Sequence, residues 1–332
     1  MKAIVYSKYG SPDVLEFKDV EKPAPGYDEV LVEIHASSVN YNTLFFVRGI
    51  PFLNGLRSVD SKTGYKIPGN DIAGRVEAVG RNVKQFQPGD EVYGDIGGCG
   101  HSAYAEYVCV PETAVAPKPA NLSFEEAAAV PEAAVVALQG LRDLGHIQPG
   151  KKVLIYGASG GIGTFAVQIA KAFGAEVTGV CSTRNLEMVR SIGADHVIDY
   201  TQEDFTKNQQ RYDLILATAG YRSIFAYMRA LAPGGIYVMT GGSMSGPRAL
   251  AQVFQAMALG PLLSWTGSKK LCGLSLRINQ EDLVVMKGLI EAGKVKPVID
   301  RRYPLSKAGE ALRYYGEGHA RGKVIITVEQ EH

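Results

Sequence analysis

Residues 153–163, VLIYGASGGIG, constrain the fold of this chain more than any other segment. The apolar run from Val153 to Tyr156 is typical of a buried strand, and the periodicity after Gly163 is typical of a helix. A strand, a small-residue turn and a helix in this order form the context that a dinucleotide-binding fingerprint requires, although Ala158 replaces the first glycine of GxGxxG. An ordinary glycine-rich turn is the alternative, and the flanking strand and helix argue against it.

We therefore predict that this turn binds the pyrophosphate of a dinucleotide. Gly160 lets the backbone approach the phosphates, and Gly163 lets the helix pack closely on the strand. The free N–H groups at the start of the helix then face the phosphates. The residues predicted to contact the cofactor here are Ser159, Gly160, Gly161, Ile162 and Gly163.

Length and charge exclude several classes of protein. The chain has 332 residues, enough for two domains with cores of their own. The formal net charge is +1, so charge indicates binding neither to nucleic acid nor to an anionic membrane. No apolar run approaches the roughly 20 residues that cross a bilayer, and the first ten residues lack a signal-peptide apolar region. We expect a cytoplasmic protein.

The pattern of predicted secondary structure divides the chain into two kinds of region. Residues 1–125 show short strand patterns separated by turn signals such as Pro88-Gly89-Asp90, which predicts a small barrel-like domain. From about residue 150, strand and helix patterns alternate, which predicts an α/β doubly wound parallel sheet. The C-terminal part resembles residues 1–125 in its pattern and ends in a predicted strand at 323–327.

The end of the second predicted strand of this sheet indicates which dinucleotide binds. In NAD-binding units this strand ends in an acid that hydrogen-bonds the ribose 2′-hydroxyl. Here Ser182, Thr183 and Arg184 stand in its place and offer two hydroxyls and a guanidinium to a 2′-phosphate. Tyr200, at the end of the third strand, is a further candidate contact. We predict NADP(H); the alternative is that Arg184 is a solvated residue of the next helix.

Six segments are arranged as in a known family: ASSVN at 36–40, PGNDIAG at 68–74, PGDEV at 88–92, AEY at 105–107, the turn at 157–163 and ARGKV at 320–324. Together they resemble the medium-chain dehydrogenase/reductase superfamily, in its zinc-independent quinone oxidoreductase branch. The resemblance implies a GroES-like catalytic domain formed by residues 1–125 and 277–332, a Rossmann NADP-binding domain at 126–276, and a cofactor cleft between the two domains.

The resemblance also implies that the chain has no catalytic metal. Zinc-dependent relatives carry Cys at the position of Asn40, His at that of Asn70, and Cys near Val130. The cysteines of this chain are Cys99, Cys109, Cys181 and Cys272. We expect them to be scattered buried thiols, because Cys99 and His101 alone would make a poor zinc site. Without a Lewis acid to polarise an alcohol, reduction of an electron-poor acceptor is favoured.

Asn40 matches the Asn of this branch, which the resemblance places near the nicotinamide ribose or the substrate; the alternative is an amide that caps a turn. Tyr41 adjoins it and is the candidate proton donor, ahead of Tyr65, although solvent could supply the protons for a quinone. Thr43 stands where relatives carry an acid, and Phe45 where they carry Tyr or Lys. Val136 likewise replaces a Thr, so the expected pocket is more apolar.

Features after the fifth predicted strand suggest further contacts. Gly241 would let the chain pass close to the cofactor, and Ser275 lies in a segment whose backbone meets the nicotinamide carboxamide in the family. Residues 249–265 are strongly apolar. An exposed apolar stretch indicates an interface. Because relatives dimerise through this edge of the sheet, the resemblance implies a homodimer; the alternative is a buried helix that caps the substrate pocket.

The sequence therefore predicts a zinc-independent, NADPH-dependent oxidoreductase that transfers hydride to a quinone or another conjugated carbonyl, a small electrophilic substrate. One alternative is an enone or 2-alkenal double-bond reductase. Another is a non-catalytic NADPH-binding sensor or structural protein, which the altered residues around 40–46 and 136 favour.

Overall fold

A computed structural model of the chain describes residues 1–49, 64–218, 222–241, 269–273 and 276–329. The chain divides into two compact units. The first unit comprises Met1–Ala133, Ile278–Glu291 and Pro297–His332, and the second comprises Ala134–Arg277 and Ala292–Lys296. Residues 126–133 thus belong to the first unit, although the resemblance implies a nucleotide-binding domain that begins at residue 126.

The described strands are β1 (Lys2–Val5), β2 (Glu16–Asp19), β3 (Glu29–Val39), β4 (Asp71–Val79), β5 (Glu91–Asp95), β6 (Tyr107–Pro111), β7 (Val115–Pro117), β8 (Lys152–Tyr156), β9 (Glu176–Cys181), β10 (His196–Asp199), β11 (Tyr212–Ala217), β12 (Leu231–Met239), β13 (Lys270–Gly273), β14 (Ile299–Pro304) and β15 (Lys323–Thr327). The described α-helices are α1 (Tyr41–Arg48), α2 (Phe124–Ala128), α3 (Pro131–Gln139), α4 (Gly161–Ala172), α5 (Leu186–Ser191), α6 (Ile224–Ala230), α7 (Gln280–Glu291) and α8 (Ala308–Gly316).

The first unit is built around a seven-stranded sheet in the order β14-β15-β3-β4-β5-β7, with β6 also paired to β3. The long strand β3 alternates between apolar residues that pack in the core and less buried ones, and Val30, Val32 and Ile34 are completely buried. Its neighbours β4, β6 and β15 pair with it antiparallel. The buried core extends from this sheet to Leu305 and Leu312 near the C-terminus.

The register of this sheet brings the ends of several strands together. Val39, the last residue of β3, pairs with Val324 of β15. Asp71, the first residue of β4, pairs with Asp95, the last residue of β5. Residues that are distant in sequence therefore meet at one end of the sheet, and this is the end that carries the polar cluster described below.

The second unit contains a six-stranded parallel sheet in the order β10-β9-β8-β11-β12-β13. This is the doubly wound order, and the strand order reverses between β8 and β11. In such sheets ligands bind outside the carboxyl ends of the strands at the reversal. The central strands read as continuous apolar runs, since Val153, Leu154 and Ile155 are completely buried.

The predicted fold class is confirmed: a mostly antiparallel β unit accompanies a parallel α/β sheet. Helices α2 and α3 were not predicted. Cys99 is exposed and only Cys181 is fully buried, so the expectation of buried thiols is wrong for Cys99. The apolar segment 249–265 lies outside the described residues, so the homodimer stays a prediction. Among the described helices, none has the length and apolarity needed to cross a membrane.

Candidate functional site

The predicted dinucleotide turn connects β8 to α4 in the second unit. Gly160 precedes the twelve-residue helix α4 as its N-cap and makes no side-chain cap bond. The first N–H groups of the helix therefore have no capping side chain to bind them. A Cβ on Gly163 would lie 2.1 Å from the carbonyl oxygen of Gly157, whereas one on Gly160 would find its nearest neighbour at 3.5 Å. Gly163 thus serves close packing, and the space above Gly160 is open.

A buried amide joins this turn to the segment after β9. The Nδ2 group of Asn185 donates to the hydroxyl oxygens of Ser159, at 3.0 Å, and of Ser182, at 3.2 Å. The structure therefore brings two of the predicted cofactor-binding residues side by side. Asn185 Oδ1 is buried and has no partner among the described residues, so it remains an acceptor for a donor such as a ribose hydroxyl.

An acid from β10 also reaches this region. No acid follows β9 itself, but the Thr183 hydroxyl donates to Asp199 Oδ2 at 2.5 Å. This hydrogen bond, against a smaller effect of burial, holds the pKa of Asp199 below its usual range. Thr183 is thus engaged by a carboxylate, while Arg184 and Tyr200 are exposed at the same edge of the sheet.

Gly241 and Ser275 are the remaining residues predicted to contact the cofactor. A Cβ on Gly241 would lie 2.5 Å from the carbonyl oxygen of Thr218, so this glycine is required by the neighbouring backbone. Ser275 lies outside the described residues. The open turn, the uncapped helix and the polar segment after β9 together fit a nicotinamide dinucleotide, which when bound would supply the hydride.

In the first unit, Asn40 belongs to a buried polar cluster. Its Nδ2 donates to Asp71 Oδ2 at 2.8 Å, and its Oδ1 accepts from the ammonium group of Lys323. Ser38 donates to the same Asp71 oxygen at 2.6 Å. Asn40 is only 5% exposed, so both ends of its amide are committed to the protein. The strand register explains the contact, because β15 begins with Lys323 beside the end of β3.

Two further carboxyl groups complete the cluster. One oxygen each of Asp71, Asp95 and Glu132 lie within 4.8 Å of one another, and all three residues are buried. Burial, reinforced by the charge of Asp71, raises the pKa of Asp95 to about 7 and that of Glu132 to about 8. Such a spacing can hold a metal ion, but here the cation beside Asp71 is Lys323, whose Nζ lies 3.4 Å from Oδ2.

Glu132 extends the cluster through two amides. Its Oε1 accepts from Asn42 Nδ2 at 2.9 Å and its Oε2 from Asn70 Nδ2 at 3.1 Å. The backbone N–H of Glu132 donates to Asp71 Oδ1 at 2.9 Å. Asn70 Oδ1 in turn lies 2.8 Å from Nδ1 of His101. A continuous series of hydrogen bonds therefore links Asn40 to His101.

The two predicted catalytic residues, Asn40 and Tyr41, have different surroundings. Asn40 is turned into the cluster, whereas Tyr41 begins α1 and is 37% exposed, with its ring centroid 6.5 Å from that of Phe45. Partial burial, against a smaller effect of Arg48, raises the pKa of Tyr41. Lys323, Glu132 and His101 were not singled out as site residues, because they are distant in sequence and only the folded chain connects them through hydrogen bonds.

Comparison with known proteins agrees with this architecture. The family of alcohol dehydrogenase GroES-like domains matches residues 26–120, and the zinc-binding dehydrogenase family matches residues 192–326. The chain is 37% identical over 337 residues to 2-methylene-furan-3-one reductase of Solanum lycopersicum, covering 98% of this chain and 79% of that protein. It is 35% identical over 357 residues to the mitochondrial NAD(P)H oxidoreductase RTN4IP1 of Mus musculus, covering 99% and 89%.

A solved structure is similar over the same extent. The quinone oxidoreductase from Coxiella burnetii superposes with a TM-score of 0.84 at 28% identity, covering 99% of each chain. The chain therefore belongs to the medium-chain dehydrogenase/reductase superfamily, in its quinone oxidoreductase-like part. It is an oxidoreductase of this family and uses a nicotinamide cofactor.

Proposed function

We propose that the protein is a zinc-independent reductase that transfers a hydride from NADPH to a quinone or another conjugated carbonyl. The observation that carries this proposal is the joining of the open glycine turn to the segment Ser182–Arg184 through Asn185. That arrangement offers uncapped helix N–H groups to a pyrophosphate, and hydroxyl and guanidinium groups to a 2′-phosphate.

The side chains at the positions of the zinc ligands support a metal-free reaction. Asn40 is held between Asp71 and Lys323, and Asn70 is held between Glu132 and His101. Both amides are engaged inside the protein, and an amide is a poor zinc ligand beside thiolate and imidazole. An acceptor that is already electron-poor needs less polarisation than an alcohol, so it suits such a site.

A conjugated enone is the second acceptor class that the comparisons favour. One of the relatives above is named as a 2-methylene-furan-3-one reductase, while the structural neighbour is named as a quinone oxidoreductase. Both acceptors take a hydride at a conjugated position and a proton at oxygen or carbon. The acceptor class is therefore an outcome of the experiment below.

The test is NADPH oxidation by purified, chelator-treated protein with matched quinones, enones and secondary alcohols, and with NADH in parallel. We expect turnover with quinones or enones that survives the chelator. Turnover of alcohols that the chelator abolishes would refute the metal-free proposal. Tight NADPH binding without turnover of any acceptor would instead support a non-catalytic, nucleotide-binding role.

The cofactor preference has its own matched pair of variants. Arg184→Ala should raise the Kd for NADPH about tenfold and leave the Kd for NADH unchanged, because only NADPH carries the 2′-phosphate. Arg190→Ala, at the exposed end of the following helix α5, is the control and should change neither value. Equal losses for both cofactors in Arg184→Ala would contradict the assignment.

A further inference from the structure

Asn185, in the second unit, carries a buried hydrogen-bond acceptor that the protein itself leaves unused. The residue ends the short turn Thr183–Asn185 that follows β9, and it is only 4% exposed. Its Nδ2 group donates to the hydroxyl oxygens of Ser159 and Ser182, so both amide protons are in use. Oδ1 is buried and accepts from no donor among the described residues. A buried acceptor without a donor is costly, which points to a ligand that supplies one.

The amide also determines what the two serine hydroxyls can offer to a ligand. An NH₂ group only donates, so each serine oxygen accepts from Asn185 and keeps its own proton for another acceptor. Neither O–H group donates to an acceptor in the part of the chain that the structure describes. Phosphate oxygens only accept, and they match two O–H donors held in this way. The opposite orientation of the amide would direct both O–H groups at Oδ1.

The order of these three side chains matches the order of groups in an adenine dinucleotide. Ser159 belongs to the open glycine turn, the part of such a fold that binds a pyrophosphate. Ser182 directly follows β9, where such folds read the 2′ substituent of the ribose. Asn185 bridges the two serines, as the ribose bridges the 5′ and 2′ substituents.

One donor of the dinucleotide fits the acceptor at this place. The ribose 3′-hydroxyl lies between the 5′ and 2′ substituents, and it is a donor in both NADPH and NADH. The 2′-hydroxyl is phosphorylated in NADPH and so has no proton to donate. The 6-amino group of adenine is a donor too, but it lies on the far side of the ribose from both phosphate groups. A side chain that is tied to both serines therefore suits the 3′-hydroxyl.

We propose that Asn185 is a specificity-determining residue of the dinucleotide site, whose Oδ1 accepts a hydrogen bond from the 3′-hydroxyl of the adenosine ribose. Its Nδ2 group acts at the same time as a positioning group, which leaves Ser159 to donate to the pyrophosphate and Ser182 to the 2′-phosphate. This inference rests on the part of the proposed function that assigns NADPH to the glycine turn. The ligand class is an adenosine 2′,5′-phosphate with an unmodified 3′-hydroxyl.

The experiment uses two probes that lack the nicotinamide, so that binding is measured without turnover. The probes are adenosine 2′,5′-bisphosphate and its 3′-deoxy analogue, titrated calorimetrically into the full chain. The variants are Asn185→Ala, which removes the whole amide, and Asn185→Asp, which keeps an oxygen acceptor but replaces the NH₂ group. Asn208→Ala is the control, because Asn208 is an amide in the loop that precedes β11 and its Oδ1 accepts from the N–H of Gln210.

We expect the wild type and Asn208→Ala to bind the bisphosphate about tenfold more tightly than its 3′-deoxy analogue, since loss of the hydroxyl leaves Oδ1 unsatisfied. Asn185→Ala should bind the bisphosphate about tenfold more weakly than the wild type and bind both probes equally within twofold. This coupling between side chain and hydroxyl separates a direct contact from a structural role, which would weaken both probes alike.

Asn185→Asp should show the complementary pattern. Its carboxylate takes the protons of both serine hydroxyls and repels the phosphates, so the bisphosphate should bind about thirtyfold more weakly than to the wild type. A carboxylate oxygen still accepts from the 3′-hydroxyl, so the preference of about tenfold for the bisphosphate over the 3′-deoxy probe should persist. Loss of that preference in Asn185→Asp would contradict the assignment of Oδ1 to the 3′-hydroxyl.

Two further results would overturn the inference while leaving the proposed function intact. One is a wild type that binds the two probes equally, which would mean that water satisfies Oδ1. The other is an Asn185→Ala variant that keeps the full preference for the 3′-hydroxyl. The expected preferences in a wild type that turns over no acceptor would refute the proposed reductase and support this inference. Absence of binding of both NADPH and the bisphosphate would refute both.

Discussion

A surface acid of the second unit and two buried acids of the first unit have pKa values shifted in opposite directions. In the second unit, Asp195 lies at the surface. Partial burial is the largest single effect and acts to raise its pKa, but hydrogen bonds from Lys171 and from the N–H of Val177, with the nearby positive charges, together lower it. In the first unit, Asp95 and Glu132 are buried beside Asp71, and burial raises the pKa of each. The difference is one of solvent access, since all of these carboxyl groups accept hydrogen bonds.

The same contrast separates the two candidate sites. The dinucleotide turn of the second unit depends on glycine positions without side chains, because Gly163 leaves room for the backbone of Gly157. The cluster of the first unit is defined by ionisable groups that are present and buried around Lys323. Steric changes should therefore damage the dinucleotide turn most, and changes of charge should damage the buried cluster most.

The largest expected effect is that of removing a buried cation. Lys323→Met leaves Asp71 buried without its charge partner, which should lower the free energy of unfolding by about 3–5 kcal/mol. Lys171→Met removes the partner of the surface residue Asp195 in the second unit and should cost at most about 1 kcal/mol. Urea denaturation at pH 8 compares the two variants. Equal losses would show that burial does not distinguish the units.

The next effect is steric. Gly163→Ala forces a Cβ against the carbonyl of Gly157 and should cost about 1–3 kcal/mol of unfolding free energy. Gly160→Ala meets nothing closer than 3.5 Å, so its stability should change by less than about 0.5 kcal/mol. It should nevertheless weaken NADPH binding, because the methyl group occupies the space left for the phosphates. A stable Gly163→Ala would contradict this account of the turn.

The third effect is a dependence of stability on pH. The pKa values of Asp95 and Glu132 are higher in the folded chain than in the unfolded one, where they are near 4. The stability that these two protonated groups contribute is therefore fully present below pH 4. It is lost as pH rises through about 7 for Asp95 and about 8 for Glu132. The free energy of unfolding should fall by about 1 kcal/mol or more between pH 6 and 8.5.

Two variants check the origin of that fall. Asp95→Asn should flatten the profile above pH 6, because it removes one of the two raised carboxyl groups and relieves the other. Asp195→Asn should leave this range unchanged, since a carboxylate with a lowered pKa contributes above its unfolded pKa and loses its contribution only in acid. A profile that rises towards pH 8.5 would contradict the buried-proton interpretation of the cluster.

Local patterns of the chain were sufficient to predict the fold of the second unit. The strand, glycine turn and helix around Gly160 are contiguous, and Asn185 bridges the predicted cofactor residues Ser159 and Ser182. The cluster of the first unit could not be predicted in this way. Lys323 reaches Asn40 across 283 positions, and only the pairing of β15 with β3 brings them together. Asn40 and Tyr41, adjacent in sequence, differ instead in burial.

Asp199 gives the smallest effect and the finest test of the comparison. It accepts a hydrogen bond from Thr183 at the segment predicted to bind the 2′-phosphate, and no acid from β9 itself is present there. Its negative charge should repel a phosphate, so Asp199→Asn should lower the Kd for NADPH about threefold and leave that for NADH unchanged. The gain in NADPH affinity should shrink in high salt, because exposed charges are screened.

Asp195→Asn, another charge neutralisation at the surface of the second unit, is the control. An equal gain for NADH would mean that Asp199 acts by ordering Thr183 rather than by its charge, and the second unit would then share with the first a site organised by a carboxylate.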